Sequence, residues 1–131
     1  MQSSIEASPR RTTVPGRKQL LGKWGEGKAA AWYESHGYEV LARNWSCREG
    51  ELDIVARRRR LHVFCEVKSR ANDAFGLPAE AVGPLKQARL RRLAARWFAT
   101  AGEESERGAG PVRFDVACVL GDAIEVIEGA F

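Results

Sequence analysis

Asp53 and Glu66 stand in two short stretches, Gly50-Glu51-Leu52-Asp53 and Glu66-Val67-Lys68. Side chains of an extended chain alternate between faces, so Glu66 and Lys68 project together, as do Glu51 and Asp53. Arg57 to Arg60 read as the hairpin connection between the stretches. A loop centred on Arg58-Arg59 sets Asp53 opposite Phe64 and Glu51 opposite Glu66. A shift of two residues sets Asp53 directly opposite Glu66. Either register keeps the two carboxylates on one face, about 5–8 Å apart at Cβ. A shift of one would bury both against hydrophobics, which the alternation of both stretches disfavours.

Two carboxylates with no histidine between them form a hard oxygen site, suited to Mg²⁺ or Mn²⁺ rather than zinc. Such an ion would polarise a phosphoryl oxygen and make a bound water more acidic. Lys68 would orient that water and offset charge on a pentacovalent phosphorane. These are the parts of phosphodiester hydrolysis. Glu26 is a candidate fourth member, because Glu26, Ala29, Ala30 and Tyr33 share the small-residue face of a helix. A carboxylate there is costly unless it meets a cation or a donor. A metal held by Asp53 and Glu66 would satisfy it, and so would an Arg or Lys at the helix rim. The plainer reading of Glu66 and Lys68 is a solvated strand face with a cross-strand ion pair; Asp53 at the right parity weighs against it.

The elements that must position these residues follow from periodicity. Residues 18–36 read as a helix ended by Gly37, and 38–45 as a strand. Residues 50–57 alternate strictly, Glu51, Asp53 and Val55 against Leu52, Ile54 and Ala56, and predict a strand with one apolar face. Residues 61–68 predict a third strand. A Gly- and Pro-containing connection spans 71–83. Residues 84–99 predict a helix whose buried stripe is Leu90, Leu93, Ala94 and Trp97. A polar loop, 101–111, leads to strands at 112–120 and 123–128 around Gly121-Asp122. The first three strands suit an antiparallel meander, and the helix after the third suits a parallel crossover. The fold class is α/β, one mixed sheet flanked by helices, in a single domain over 18–131. Residues 1–17, rich in Ser, Thr, Pro and Arg, read as a flexible basic tail with no signal-peptide apolar core.

Charge is unevenly placed along the 131 residues. The formal net charge is +4, from 21 Lys+Arg and 17 Asp+Glu. Residues 1–98 carry 19 basic and 10 acidic side chains, and residues 99–131 carry 2 and 7. The second helix presents Lys86, Arg89, Arg92 and Arg96 as a basic stripe with no acidic side chain to offset it. With Arg58 and Arg59 of the hairpin, these are candidate contacts to a phosphate backbone, against the plainer reading of solvated faces. The hairpin tip lies roughly 20 Å from Glu66, too far to join the chemistry. The aromatics Trp24, Trp32, Trp45 and Trp97 fit helix–sheet packing for the most part. No apolar run approaches the roughly 20 residues of a membrane span. Cys47, Cys65 and Cys118 form no metal-ligand or CxxC spacing and suit a reducing, cytoplasmic setting.

The chain resembles the YraN-like family of endonucleases, related to archaeal Holliday-junction resolvases and to the wider restriction-endonuclease-like group. The matching stretches are Gly25-Glu26 with Ala29, Gly37-Tyr38 and Ala42-Arg43-Asn44-Trp45. They continue through Gly50 to Ala56, Val63 to Lys68, Phe75-Gly76 with Pro78, Glu80-Ala81-Val82, Lys86 with Arg89-Leu90, and Arg113-Phe114-Asp115-Val116. The resemblance implies a restriction-endonuclease-like core and a divalent-metal nuclease site. It places Asp53 and Glu66 as metal ligands, Lys68 as the catalytic lysine and Glu26 as the helix-borne acid, with Glu51 supporting them. It implies DNA as substrate, branched or flapped forms included, and raises the expectation of a homodimer. Where relatives often carry an acidic-Gly turn, this chain has Arg57 to Arg60, with no Gly to relax a positive φ. Two other readings stay open: a nucleic-acid-binding module that does not cleave, and an interaction subunit whose basic surface meets a protein partner.

Overall fold

The computed structural model describes residues 16–70, 82–101 and 110–131. Most of the expected tail, of the 71–83 connection and of the 101–111 loop lies outside the described residues. The elements are α1 (Arg17–Ser35), β1 (Glu39–Cys47), β2 (Gly50–Arg58), β3 (Leu61–Arg70), α2 (Pro84–Ala101), β4 (Val112–Leu120) and β5 (Ala123–Ile127). They are those expected from periodicity, in the same order. One sheet holds the strands in the order β1-β2-β3-β4-β5. β1, β2 and β3 form the antiparallel meander, β4 runs parallel to β3, and β5 returns antiparallel to β4. The α2 connection from β3 to β4 is therefore the expected parallel crossover.

Each helix covers one face of this sheet. Ala29, Ala30 and Tyr33 of α1 pack with Ile54, Ala56, Val63 and Cys65. Leu90, Leu93, Ala94 and Trp97 of α2 pack with Val55, Phe64, Phe114 and Val116. The small side chains of α1 let that helix approach closely. At Gly25 the approach is closest, for a Cβ there would collide with Ser69 Oγ. After Ser35 the chain leaves the helix through Gly37, whose φ of 87° suits a residue without Cβ. The Tyr38 amide donates back to the Tyr33 carbonyl at 3.0 Å, closing the helix end.

Burial corrects one expectation. β2 does not have a single apolar face: Leu52, Ile54, Val55 and Ala56 are all buried. A strand in the middle of a sheet covered by helices on both sides is dry on both sides. The alternation itself breaks at Leu52. It joins Val55 in the α2-side core, whereas Ile54 and Ala56 face α1. Trp45, the β1 partner of Leu52, goes to the same side. The break coincides with Asn44, whose φ of 54° puts a left-handed residue into β1 beside the break. Trp24 also departs from packing: it is 49% exposed and its indole donates to the Gly121 carbonyl at 2.9 Å.

Candidate active site

The hairpin register decides how Asp53 meets Glu66. Pairing runs from Arg58↔Leu61 to Ile54↔Cys65, so the turn is Arg59-Arg60. This is the register shifted by two residues from a loop centred on Arg58-Arg59, and it brings Asp53 level with Glu66. The turn needs a left-handed residue, and Arg59 supplies it at φ 57° despite the absence of glycine. Past Ile54↔Cys65 a side chain takes over from backbone pairing: Asp53 Oδ2 accepts the Val67 amide at 2.8 Å. The carboxylate is thereby held at the edge of β3, beside Glu66.

Glu66 is buried, with 7% of its surface exposed. Its Oε2 meets two ammonium groups, Lys68 Nζ at 3.4 Å and Lys86 Nζ at 3.0 Å. Lys68 follows on the same strand, as the alternation requires. Lys86 comes from the first turn of α2, where it was expected only to hold a phosphate backbone. An open cleft of about 140 Å³ is lined by Gly50, Glu51, Asp53, Glu66, Lys86, Arg89, Leu90 and Leu93. That space is enough for a hydrated ion, and it opens to solvent. Gly50 lets Leu93 of α2 come close to β2 at this cleft, since a Cβ there would press on Leu93 Cδ1 at 3.3 Å.

Electrostatics inside the cleft are unfavourable to its acids. The Asp53 carboxyl is pushed up to about 7, first by burial, then by the charge of Glu66, with smaller contributions from Glu26 and Glu51. The Val67 amide opposes this and is outweighed. Glu26 is thus near enough to act on Asp53 through its charge, and Gly25 is what allows α1 to bring it there. Glu26 does not line the cleft itself, whereas Glu51 does. Among the described residues no three His, Cys, Asp or Glu side chains gather closely enough to hold a metal ion. The donor set still fits a hard divalent cation: all oxygen, with Asp53 raised first by burial and then by neighbouring negative charge that a cation would offset.

The expected basic stripe divides into parts with different surroundings. Lys86 and Arg89 line the cleft. Arg92 is exposed. Arg96 donates to Glu49 Oε1 at 2.9 Å across the β1–β2 turn, which holds the Glu49 carboxyl below its ordinary range. Arg58 is also engaged: it donates to the His36 carbonyl at 3.0 Å and lies 4.3 Å from the Tyr38 ring centre. Arg58, Arg59 and Arg60 line a separate groove with Leu61 and Pro111 at the hairpin tip.

One polar cluster was not singled out in the sequence. Asp115 is fully buried and accepts from Tyr33 Oη at 2.6 Å, Arg113 Nε at 2.8 Å and the Gly129 amide at 3.0 Å. Arg113 also donates to Tyr38 Oη at 3.0 Å. The signal was available in the spacing: Arg113 and Asp115, two apart on a buried strand, must share a face.

Fold and cleft together define a mixed α/β domain with an acid–lysine site at the point where two antiparallel strands exchange backbone pairing for a carboxylate. The chain belongs to Uncharacterised protein family UPF0102, whose model matches residues 25–119. This is the YraN-like group that the motifs resemble. The matched span covers α1 from Gly25 through nearly all of β4, and so contains the whole cleft. A UPF0102 protein of Beutenbergia cavernae is 53% identical over 103 residues, covering 79% of this chain and 84% of the relative. One of Acidothermus cellulolyticus is 46% identical over 125 residues, covering 87% and 95%. One of Syntrophus aciditrophicus is 45% identical over 114 residues, covering 84% and 87%. No helix among the described residues is long and apolar enough to cross a membrane.

Proposed function

We propose that this protein is a divalent-metal-dependent endonuclease of the restriction-endonuclease-like type, hydrolysing phosphodiester bonds in DNA. The observation that carries the reading is the gathering of Asp53, Glu66 and Lys86 at one open cleft, with Lys68 paired to Glu66 although it does not line the cleft itself. A strand that only had to be solvated would not keep Glu66 buried beside a carboxyl that burial has already raised. Asp53 and Glu66 would hold Mg²⁺ or Mn²⁺, with Glu26 acting on the ion or its water and Glu51 supporting Asp53. When bound, the ion supplies Lewis-acid polarisation of the phosphoryl oxygen and a more acidic water.

The protein's own residues do the rest. Lys68, anchored on β3 beside Glu66, orients the attacking water and offsets charge on the phosphorane. Lys86 and Arg89 at the cleft mouth meet the phosphates on either side of the scissile bond. Arg92 extends that basic surface along α2, with Arg96 beyond it once released from Glu49. Arg58 and Arg59 would touch a backbone only further along the substrate.

Labelled single-stranded, duplex, flap and four-way-junction DNA, incubated with Mg²⁺ or Mn²⁺, test the reading. The parent should cut at least one of them, and Glu66→Ala and Lys68→Ala should not. Cleavage by the variants at the parent's rate would remove the cleft from the chemistry. One observation favours a second reading, a DNA-binding module that does not cleave: Glu66 already has two ammonium partners. DNA bound by the parent but cut under none of these conditions would select it.

A further inference from the structure

Resting on the nuclease reading, we propose that Lys86 occupies the cation's place on Glu66 in the metal-free protein and moves to substrate phosphate when the ion enters. Lys86 is the nearer of the two lysines on Glu66 Oε2, at 3.0 Å against 3.4 Å for Lys68. It reaches that oxygen from α2, on the opposite wall of the cleft from β3. Lys68 follows Glu66 two residues along the same strand, and its side chain is the less exposed of the two, at 24%. Lys86 hangs from one helical turn at the cleft mouth, with its side chain 35% exposed, and its stem can swing outward without moving the backbone.

Charge counting gives the direction of the exchange. In the metal-free cleft, Lys68 and Lys86 pair with Glu66, and Asp53, Glu51 and Arg89 line the same space, so three acids stand against three bases. A divalent ion on the two carboxylates would add two positive charges to that balanced set, with two ammonium groups already on Glu66. Ammonium and divalent cation also seek the same lone pairs of Oε2. Lys86, which reaches Oε2 from α2, gives up that oxygen to the ion and finds a new anion in the substrate phosphodiester. The device holds the Glu66 carboxylate in place before the metal arrives. It also makes metal loading and substrate gripping favour each other, since each is helped by the same lysine leaving Glu66. Lys86 acts here as a positioning residue for Glu66 and then as a direct contact to substrate.

The test is Mn²⁺ titration by calorimetry on the full chain, comparing the parent with Lys86→Met and Arg89→Met. Arg89 lines the same cleft, so its variant removes equal charge without removing a bond to Glu66. Lys86→Met should bind Mn²⁺ about tenfold tighter, the scale of one charge-assisted hydrogen bond no longer in competition. Arg89→Met should gain much less. Lys86→Gln, with a neutral polar head, should behave as Lys86→Met does, and thermal melts in EDTA show that the variants fold.

A second readout follows the lysine to DNA. With Ca²⁺ present, Lys86→Met should lower the salt slope of duplex binding by about 1, and in EDTA the slope should stay as in the parent. Unchanged Mn²⁺ affinity in both Lys86 variants, or an equal gain in Arg89→Met, overturns the exchange, as does an equal loss of slope with and without the ion. If the parent shows the exchange but cuts no DNA, the exchange stands and the nuclease reading falls. If the parent cuts DNA while Lys86→Met binds Mn²⁺ no tighter, the nuclease reading stands and the exchange falls.

Discussion

Asp53 and Asp115 stand on the same sheet, both drawn away from water, and the fold treats them in opposite ways. Asp115 on β4 is surrounded by donors: a tyrosine hydroxyl, two nitrogens of Arg113 and a backbone amide. Asp53 on β2 receives one amide, from Val67, and otherwise faces the charges of Glu66, Glu26 and Glu51. A satisfied buried acid holds a structure together, ordering α1, β4 and the segment after β5 around one carboxylate. An acid left short of donors among other acids is costly, and a fold keeps such a place where it has work to do. The contrast separates architecture from candidate chemistry without reference to any relative.

The largest effect that would break the contrast is on cleavage. Asp53→Ala and Glu66→Ala should each lower Mg²⁺-dependent cleavage at least about a thousandfold, since the ion is worth several kcal/mol to the transition state. Both variants should remain folded, with cooperative urea transitions. If both variants unfold instead, Asp53 and Glu66 belong with Asp115 as architecture.

Next in size, Asp115→Ala should lower unfolding free energy by about 3–5 kcal/mol, because Tyr33 and the Gly129 amide lose their acceptor and Arg113 is left with the longer ion pair to Glu128, at 3.7 Å. Urea denaturation measures this, and a loss below about 1 kcal/mol would mean that the network is ornamental.

Asp53→Asn should act in the other direction. The folded carboxyl titrates at about 7 against an ordinary value of 3.8. The folded state therefore holds its proton where the unfolded chain has lost it. Stability from this group is complete below about pH 4, falls as pH rises toward 7, and stays lost above. Asn does not titrate, so the variant should gain on the parent across that window, by roughly 2–4 kcal/mol at pH 8 in EDTA. Urea denaturation at pH 5 and pH 8 checks it, and Mg²⁺ should narrow the difference by stabilising the parent. A variant that is less stable than the parent at pH 8 would show that Asp53 is satisfied after all.

The smallest effect is expected on the surface. Arg96→Ala removes an ion pair with Glu49 whose two partners stand in solvent, so the urea midpoint should not move measurably. A clear loss would mean that the β1–β2 turn depends on α2 as the two aspartates depend on their neighbours.

How much of this was legible can be read residue by residue. The α2 stripe of Leu90, Leu93, Ala94 and Trp97 announces its buried face through helical spacing alone, and all four are buried. The Ala29, Ala30, Tyr33 face of α1 does the same. Asp53 and Glu66 could be put on one face of a hairpin by parity, because alternation is a property of each strand by itself. The register could not be chosen, because parity is blind to shifts of two residues. It was settled by a turn at Arg59-Arg60 that needs a left-handed arginine, which turn chemistry disfavours. The single apolar face expected of β2 failed for a related reason, since which side of a strand is dry depends on what packs there.

By itself, then, the sequence determined the elements, their order, the helical faces and the parity of the acids. These depend on residues within one or two turns of each other, where backbone geometry alone sets direction. Only the tertiary structure decided that Lys86, twenty positions beyond Glu66 in the numbering, would share its carboxylate oxygen. It alone placed Arg96 on Glu49 and Tyr33 on Asp115. Such pairings join charges across chain segments whose approach is governed by the packing of whole helices on a sheet. A glycine at position 25 or 50 does as much to set that packing as any charged residue does to exploit it.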